Sequence, residues 1–371
     1  MRTKVTELFG IDLPIFAFSH CRDVVAGVSR AGGLGVLGCA YQTPEQLAQE
    51  LRWIDDHVDG RPYGIDLLLP NGYERSAPPH LTRADIPRAQ VEYMRRICDE
   101  AGVPPLPAGE AEAMIDRELA RLHLTPEQAG ELLDVALRHP IRLVVSALGT
   151  PPKAMVERLH ALGIKVGSMV GKVEHALRQR EAGVDLIIAQ GGEAGGHSGQ
   201  IASMILWPQV VDAVAPLPVL AAGGIGRGRQ MAAALTLGAE GIWCGSIWLS
   251  TAESELIPEL KERFFAAKAE DAVQSRSRTG KPVRMLRSKM TEAWEAPGAP
   301  PFLPLPLQTA AMVETRLRVE RARVKEFLTY PVGQVVGDMH EERTCRQVIY
   351  DILGELAEAT ERLNGLIETT A

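Results

Sequence analysis

A chain of 371 residues, 46% of them hydrophobic and 23% charged, can bury one large core or two medium ones. A net charge of −7 leaves no basic face for nucleic acid, and no run of about 18 uncharged apolar residues offers a membrane span. The opening MRTKVTELFG lacks the apolar stretch of a secretion signal, and the five cysteines show no C-x-x-C spacing; a cytosolic chain without a disulfide framework or zinc site is expected.

Short apolar runs alternate with helical segments from residue 13 onward. Residues 13–17 read as a first strand, 23–30 as a helix closed by AGGLG, and 34–37 as a second strand. Thr43 and Pro44 open a helix with Leu47, Leu51 and Ile54 on one face, and residues 63–68 form strand three, which carries Asp66 near its end. The rhythm then breaks. Residues 70–124 are Pro-rich at both ends and carry amphipathic helical segments such as Ile115, Leu119 and Leu122. Inserted at the C-terminal end of a strand, this segment is placed to be a lid or substrate wall, or else a dimer contact or inert decoration. Thr125 and Pro126 open the next helix, and strands follow at 142–147, 164–167, 184–189, 218–222 and 241–244, with helices over 151–162 and 172–182.

Eight alternating units predict a closed TIM (β/α)8 barrel over 1–69 and 125–255 more than an open doubly wound sheet. The GGIGRG at 223–228 comes too late in the chain for a dinucleotide fingerprint, which belongs directly after the first strand. Residues 256–371 form a C-terminal helical extension. In it a helix over 258–270 precedes the basic, loop-like SRSRTGKPVRMLRSKM and the Pro-rich APGAPPFLPLPLQT, and two helices follow. The last, over 345–367, puts Ile349, Ile352, Leu356, Leu363 and Ile367 on one stripe, to pack against the body or the second subunit of a homodimer.

The sixth, seventh and eighth strands each run out into glycine, which allows positive φ and lets backbone N–H groups approach a ligand. Gly223 and Gly224, with Gly245 and Ser246, stand where barrels of this kind often hold a phosphate. His197, in GGEAGGHSG beyond strand six, has the residue type and place of a general base. Glu193 could serve as that base or orient it, but a loop hydrogen bond suits it better. His20 either lines the mouth or is a surface histidine, and Asp66 either faces the mouth or caps a turn.

The run AQGGEAGGHSG, followed by PVLAAGGIGRGRQMAAALTLGAEGIWCGSIWLSTAES, resembles the nitronate monooxygenases, formerly 2-nitropropane dioxygenases, and the related flavin-dependent enoyl reductases. LPIFAF with AGGLGVLG, PYGIDLLLP, SRSRTGKPVR and YPVGQVVGD extend the resemblance in family order. It implies FMN at the barrel mouth, with Asp66 and Gln190 beside the flavin, Gly195 approaching it, and Gly223, Gly224, Gly245 and Ser246 around the phosphate. His197 matches the family's catalytic base, and the implied reaction oxidises alkyl nitronates with dioxygen as acceptor. An NAD(P)H-dependent reductase of quinones or enoyl thioesters is the alternative, and a non-catalytic flavin-binding scaffold the third reading. Two positions depart from the family pattern: Asp66 replaces the usual Asn, and Ser19-His20 replaces Pro-Met. A carboxylate at residue 66 disfavours an anionic reduced flavin or substrate unless it is protonated or paired.

Overall fold

A computed structural model describes residues 1–68, 81–122 and 126–368. Eight parallel strands close into a barrel: β1 (Ile15–Ser19), β2 (Leu34–Gly38), β3 (Tyr63–Leu68), β4 (Leu143–Leu148), β5 (Lys165–Val170), β6 (Leu186–Gln190), β7 (Val219–Ala222) and β8 (Gly241–Cys244). Closure is made by β8 on β1, with Ile242 beside Ile15 and Cys244 beside Ala17. The expected TIM barrel is therefore present, and its strands lie within about two residues of where the apolar runs put them.

The helices of this part are α1 (Lys4–Phe9), α2 (Arg22–Arg30), α3 (Pro44–His57), α4 (Arg88–Glu100), α5 (Ala111–Leu119), α6 (Pro126–Ala136), α7 (Lys153–Ala161), α8 (Val173–Glu181), α9 (Ser203–Val214) and α10 (Gly228–Thr236). α3 begins as its sequence predicts. The Thr43 hydroxyl accepts from Gln46 N–H and the Gln46 side chain returns to the Thr43 N–H, which satisfies two donors that the helix itself cannot. The short α1 was not expected. It stoppers the bottom of the barrel, where Phe9 meets Phe16 edge-on at 5.5 Å among Leu34, Leu143, Leu186 and Leu220.

Side chains at one register across parallel strands point to the same face. Val145 and Ala222 belong to the apolar filling of the lumen. Asp66 is in register with Val145, and Gln190 with Ala222, so both polar side chains face the lumen at its C-terminal end. The barrel is thus apolar below and polar only in its top layer.

Between β3 and β4, α4 and α5 build a satellite core in which Leu81, Ile86, Ile115 and Leu119 meet Ala310, Ala311 and Val313. Residues 69–80 at the start of the expected insertion, and the Thr125 cap, lie outside the described residues. After β8 the chain continues through α11 (Pro258–Ala266), the hairpin β9 (Ala272–Ser275) and β10 (Val283–Leu286), α12 (Lys289–Glu295), α13 (Leu307–Ala311), α14 (Val313–Ala322) and α15 (Cys345–Glu368). Two expectations change here. The basic stretch read as a loop is largely an antiparallel hairpin, with Val283 opposite Ser275 and Met285 opposite Val273. The helix expected over 258–270 ends at Ala266, because Lys268 N–H instead donates to the Asp271 carboxylate in a tight turn.

α15 lies on α10. Ile349 and Ile352 are buried, and the Glu355 carboxylate accepts from Gly228 N–H at 2.9 Å and from Arg227 Nε at 2.6 Å, capping the start of α10. The expected apolar stripe continues past this contact, but Leu363 and Ile367 are 44% and 60% exposed. Among the described residues, no helix is long and apolar enough to cross a membrane.

A Cβ at Gly228 would come within 2.0 Å of Ile352 O and 2.4 Å of Leu356 N. Both are backbone atoms of α15, so neither can swing away. Gly228→Ala should therefore lift α15 from α10 and lower stability by about 1–3 kcal/mol; urea unfolding monitored by circular dichroism reads the change, and an unaltered midpoint would refute the packing described.

Candidate active site

The loop after β6 is fastened to the C-terminal hairpin by two backbone hydrogen bonds. Gly196 N–H donates to Arg284 O (3.0 Å), and Arg284 N–H donates to Gly196 O (2.8 Å). The Arg284 side chain adds a bond from Nε to Gly192 O (3.0 Å). This seats the hairpin turn over His197, where Nε2 lies 2.9 Å from Thr279 Oγ1. Thr279 Oγ1 is held in place by Lys281, whose carbonyl oxygen lies at 3.3 Å and whose N–H donates to it at 3.4 Å.

His197 is open to the barrel mouth, yet protein surrounds the rest of the ring. That crowding, with the positive charges of Lys281 and Arg278 nearby, pushes its pKa down from 6.5 to about 4. The imidazole is therefore neutral through the physiological range. Burial likewise lowers His20, opposed by its bond to Gly38 O at 3.0 Å. His20 does stand at the mouth, edge-on to Phe18 at 5.2 Å.

Glu193 has a different task from His197. Its carboxylate accepts from Ser203 N–H (3.1 Å) and Ser203 Oγ–H (2.8 Å), and so caps α9. Gly195 makes a close approach, but to the chain's own backbone: a Cβ there would lie 2.7 Å from Gly333 N. Segment 331–338 is drawn over the mouth by further bonds, Gly333 N–H to Ser246 Oγ (2.8 Å) and Gln334 N–H to Glu193 O (2.9 Å). Sequence reading took YPVGQVVGD only as a family element; nothing in its composition shows that it meets the loops after β6 and β8.

Gly223 and Gly224 have φ of +113° and +68°, a region that favours glycine, and turn the chain after β7. Among the described residues no acceptor lies within reach of the N–H groups of Gly224, Gly245 or Ser246. Unpaired backbone N–H groups at the ends of β7 and β8, the latter at the start of the 3-10 helix Ser246–Ser250, are the kind of donors that a phosphate group can use. At the other side of the mouth Asp66 is 3% exposed, and among the described residues its Oδ2 has no hydrogen-bond partner. Burial raises its pKa well above the usual carboxylate range, and among the described residues no cation offsets that.

A closed parallel barrel with glycine turns and a histidine loop at its C-terminal end is the frame of a flavin-dependent barrel oxidoreductase, and its relatives agree. The sequence profile of the nitronate monooxygenases matches residues 2–355, and the chain belongs to that family. It is 47% identical to Rv1533 of Mycobacterium tuberculosis, named as a monooxygenase by inference, over 99% of this chain and 100% of that one. A "Probable nitronate monooxygenase" of Staphylococcus saprophyticus is 32% identical over 78% of this chain and 79% of its own. Among solved structures, a nitroalkane oxidase from Streptomyces ansochromogenes superposes with a TM-score of 0.76 at 28% identity, covering 97% of this chain and 99% of that one. FabK from Thermotoga maritima gives 0.75 at 27% identity, covering 99% of both.

Asp66 yields a pH test. Between the unfolded carboxyl's pKa and the raised folded one, only the folded state holds the proton, so stability falls as pH rises and levels off above the folded pKa. Asp66→Asn removes that slope. Urea midpoints between about pH 5 and pH 9 should decline less steeply in the variant, which becomes the more stable protein at the alkaline end; parallel curves would show that Asp66 is ionised in the fold.

Proposed function

We propose that the protein binds FMN at the barrel mouth and oxidises alkyl nitronates, with dioxygen as the electron acceptor. The observation that supports this reading is the bond between His197 and Thr279 at the C-terminal end of the barrel, where the glycine turns after β7 and β8 also lie. When bound, FMN would take electrons from the substrate and hand them to dioxygen. Gly223, Gly224, Gly245 and Ser246 would hold its phosphate. Gln190 and Asp66 would face its ring system from the top of the lumen, and Gly195 would keep segment 331–338 beside it.

In this reading the His197 imidazole accepts the proton from the carbon next to a nitro group when the substrate arrives as the neutral nitroalkane. A nitronate has already lost that proton. The imidazole then has only to border the anion. The low pKa also limits its strength as a base, which favours the nitronate over the nitroalkane as substrate.

The test is anaerobic mixing of the yellow holoenzyme with an alkyl nitronate or with NAD(P)H, followed by flavin absorbance. Change with the nitronate and none with NAD(P)H is expected; bleaching by NAD(P)H alone would replace this reading with that of a reductase. His197→Asn should retain flavin and lose about 100-fold or more of kcat/KM on a nitroalkane. In wild type that kcat/KM should rise with pH through about 4 and stay flat above, because the base form is present above the lowered pKa; a break near 6.5 would contradict the environment described for His197.

A further inference from the structure

The basic hairpin turn between β9 and β10 has a second feature besides Thr279. Arg278 is half-buried, lies over the Tyr330 ring with its guanidinium carbon 5.8 Å from the centroid, and makes no ion pair among the described residues. A half-buried guanidinium usually finds a carboxylate, and the other arginines fixed near this face have done so or bond carbonyls: Arg227 pairs with Glu355, and Arg284 donates to Gly192 O and Ala272 O.

Arg278 immediately precedes Thr279, whose hydroxyl meets His197 at 2.9 Å, in the turn that the loop after β6 holds at the C-terminal end of the barrel. The backbone bridge between Gly196 and Arg284 and the bond between Thr279 and His197 fix the turn there, and stacking on Tyr330 limits the swing of the side chain.

We propose that Arg278 is the anion-recognising residue of the site: its guanidinium receives a small planar oxyanion, the nitro-group oxygens of a nitronate, beside His197. This rests on the nitronate reading for the identity of the anion, but the site itself can be tested without turnover. A guanidinium matches two oxygens of a planar anion through parallel N–H donors, and here it is half-buried and makes no ion pair with a carboxylate among the described residues. Its fixed charge favours the nitronate over the uncharged parent nitroalkane.

The probe is inorganic nitrate, planar like the nitronate head, titrated into the holoenzyme and followed calorimetrically and as a competitive inhibitor of nitronate turnover. Arg278→Gln should weaken nitrate binding about tenfold or more and lower the preference for nitronate over nitroalkane, measured as the ratio of their kcat/KM values, by a similar factor. Arg278→Lys should recover part of the nitrate affinity, since charge returns without the fork. Arg276→Gln, which removes the same charge from the exposed side of the turn, should leave nitrate affinity within about twofold. Unchanged nitrate binding in Arg278→Gln, equal losses in Arg276→Gln, or no nitrate binding by wild type would each overturn the proposal. Nitrate binding that depends on Arg278 in a protein inert to nitronates would sink the proposed substrate and leave the anion site standing. If Arg278→Gln does not fold, wild type still decides: nitronate kcat/KM should fall with ionic strength while nitroalkane kcat/KM stays level, and equal salt dependence would refute the role.

Discussion

The mouth of this barrel depends on the paired backbone hydrogen bonds between Gly196 and Arg284. They add the loop after β6 to the edge of the C-terminal hairpin, and a second bridge, Met285 with Pro331, ties the hairpin to the segment that follows α14. Three stretches far apart in sequence thereby become one small sheet over the lumen. The requirement for glycine follows from this. Gly195 has no room for a Cβ against Gly333, and Gly196 adopts φ +78° to turn into the bridge. Thr279 can orient His197 only because this sheet brings their two chains together.

Around that sheet, charge is distributed by burial and not by pairing. His197 is crowded beside Lys281 and Arg278, which lowers its pKa to about 4; Asp66 is buried, which raises its pKa well above the usual carboxylate range. The two groups are thus pushed toward their neutral forms from opposite directions. A carboxyl at residue 66 that keeps its proton carries the same charge as the usual Asn. The positive charge beside His197 comes from Lys281 and Arg278 of the hairpin turn.

Sequence reading recovered what is locally encoded. An apolar run ending in glycine marks each late strand, because a barrel strand is buried on both faces and must open into a loop at its end. The Thr43-Pro44 start of α3 was legible for a similar reason, since capping uses side chains adjacent in the chain. The hairpin was not. Val283 and Met285 alternate with Pro282 and Arg284 in a stretch whose charge suggests solvent, and its register is set by pairing with Ser275 and Val273 and by the loop around Gly196. The stripe on α15 was visible, but its extent was misleading: Ile349 and Ile352 find α10, whereas Leu363 and Ile367 run past it. Periodicity reports that a face is apolar and says nothing about what covers it.

The C-terminal extension is part of the site. The barrel strands alone supply Asp66, Gln190 and the glycine loops, which is enough to cradle a phosphate and floor a pocket. They do not orient His197, set its pKa or place a cation above the lumen; Thr279, Lys281 and Arg278 do those things, and all lie beyond the last barrel strand. The same region closes on itself through α15, whose Glu355 caps α10, the helix that leads out of the Gly223-Gly224 turn. The family profile likewise runs to residue 355, past the last barrel strand at Cys244 and into α15, so the extension is matched together with the barrel.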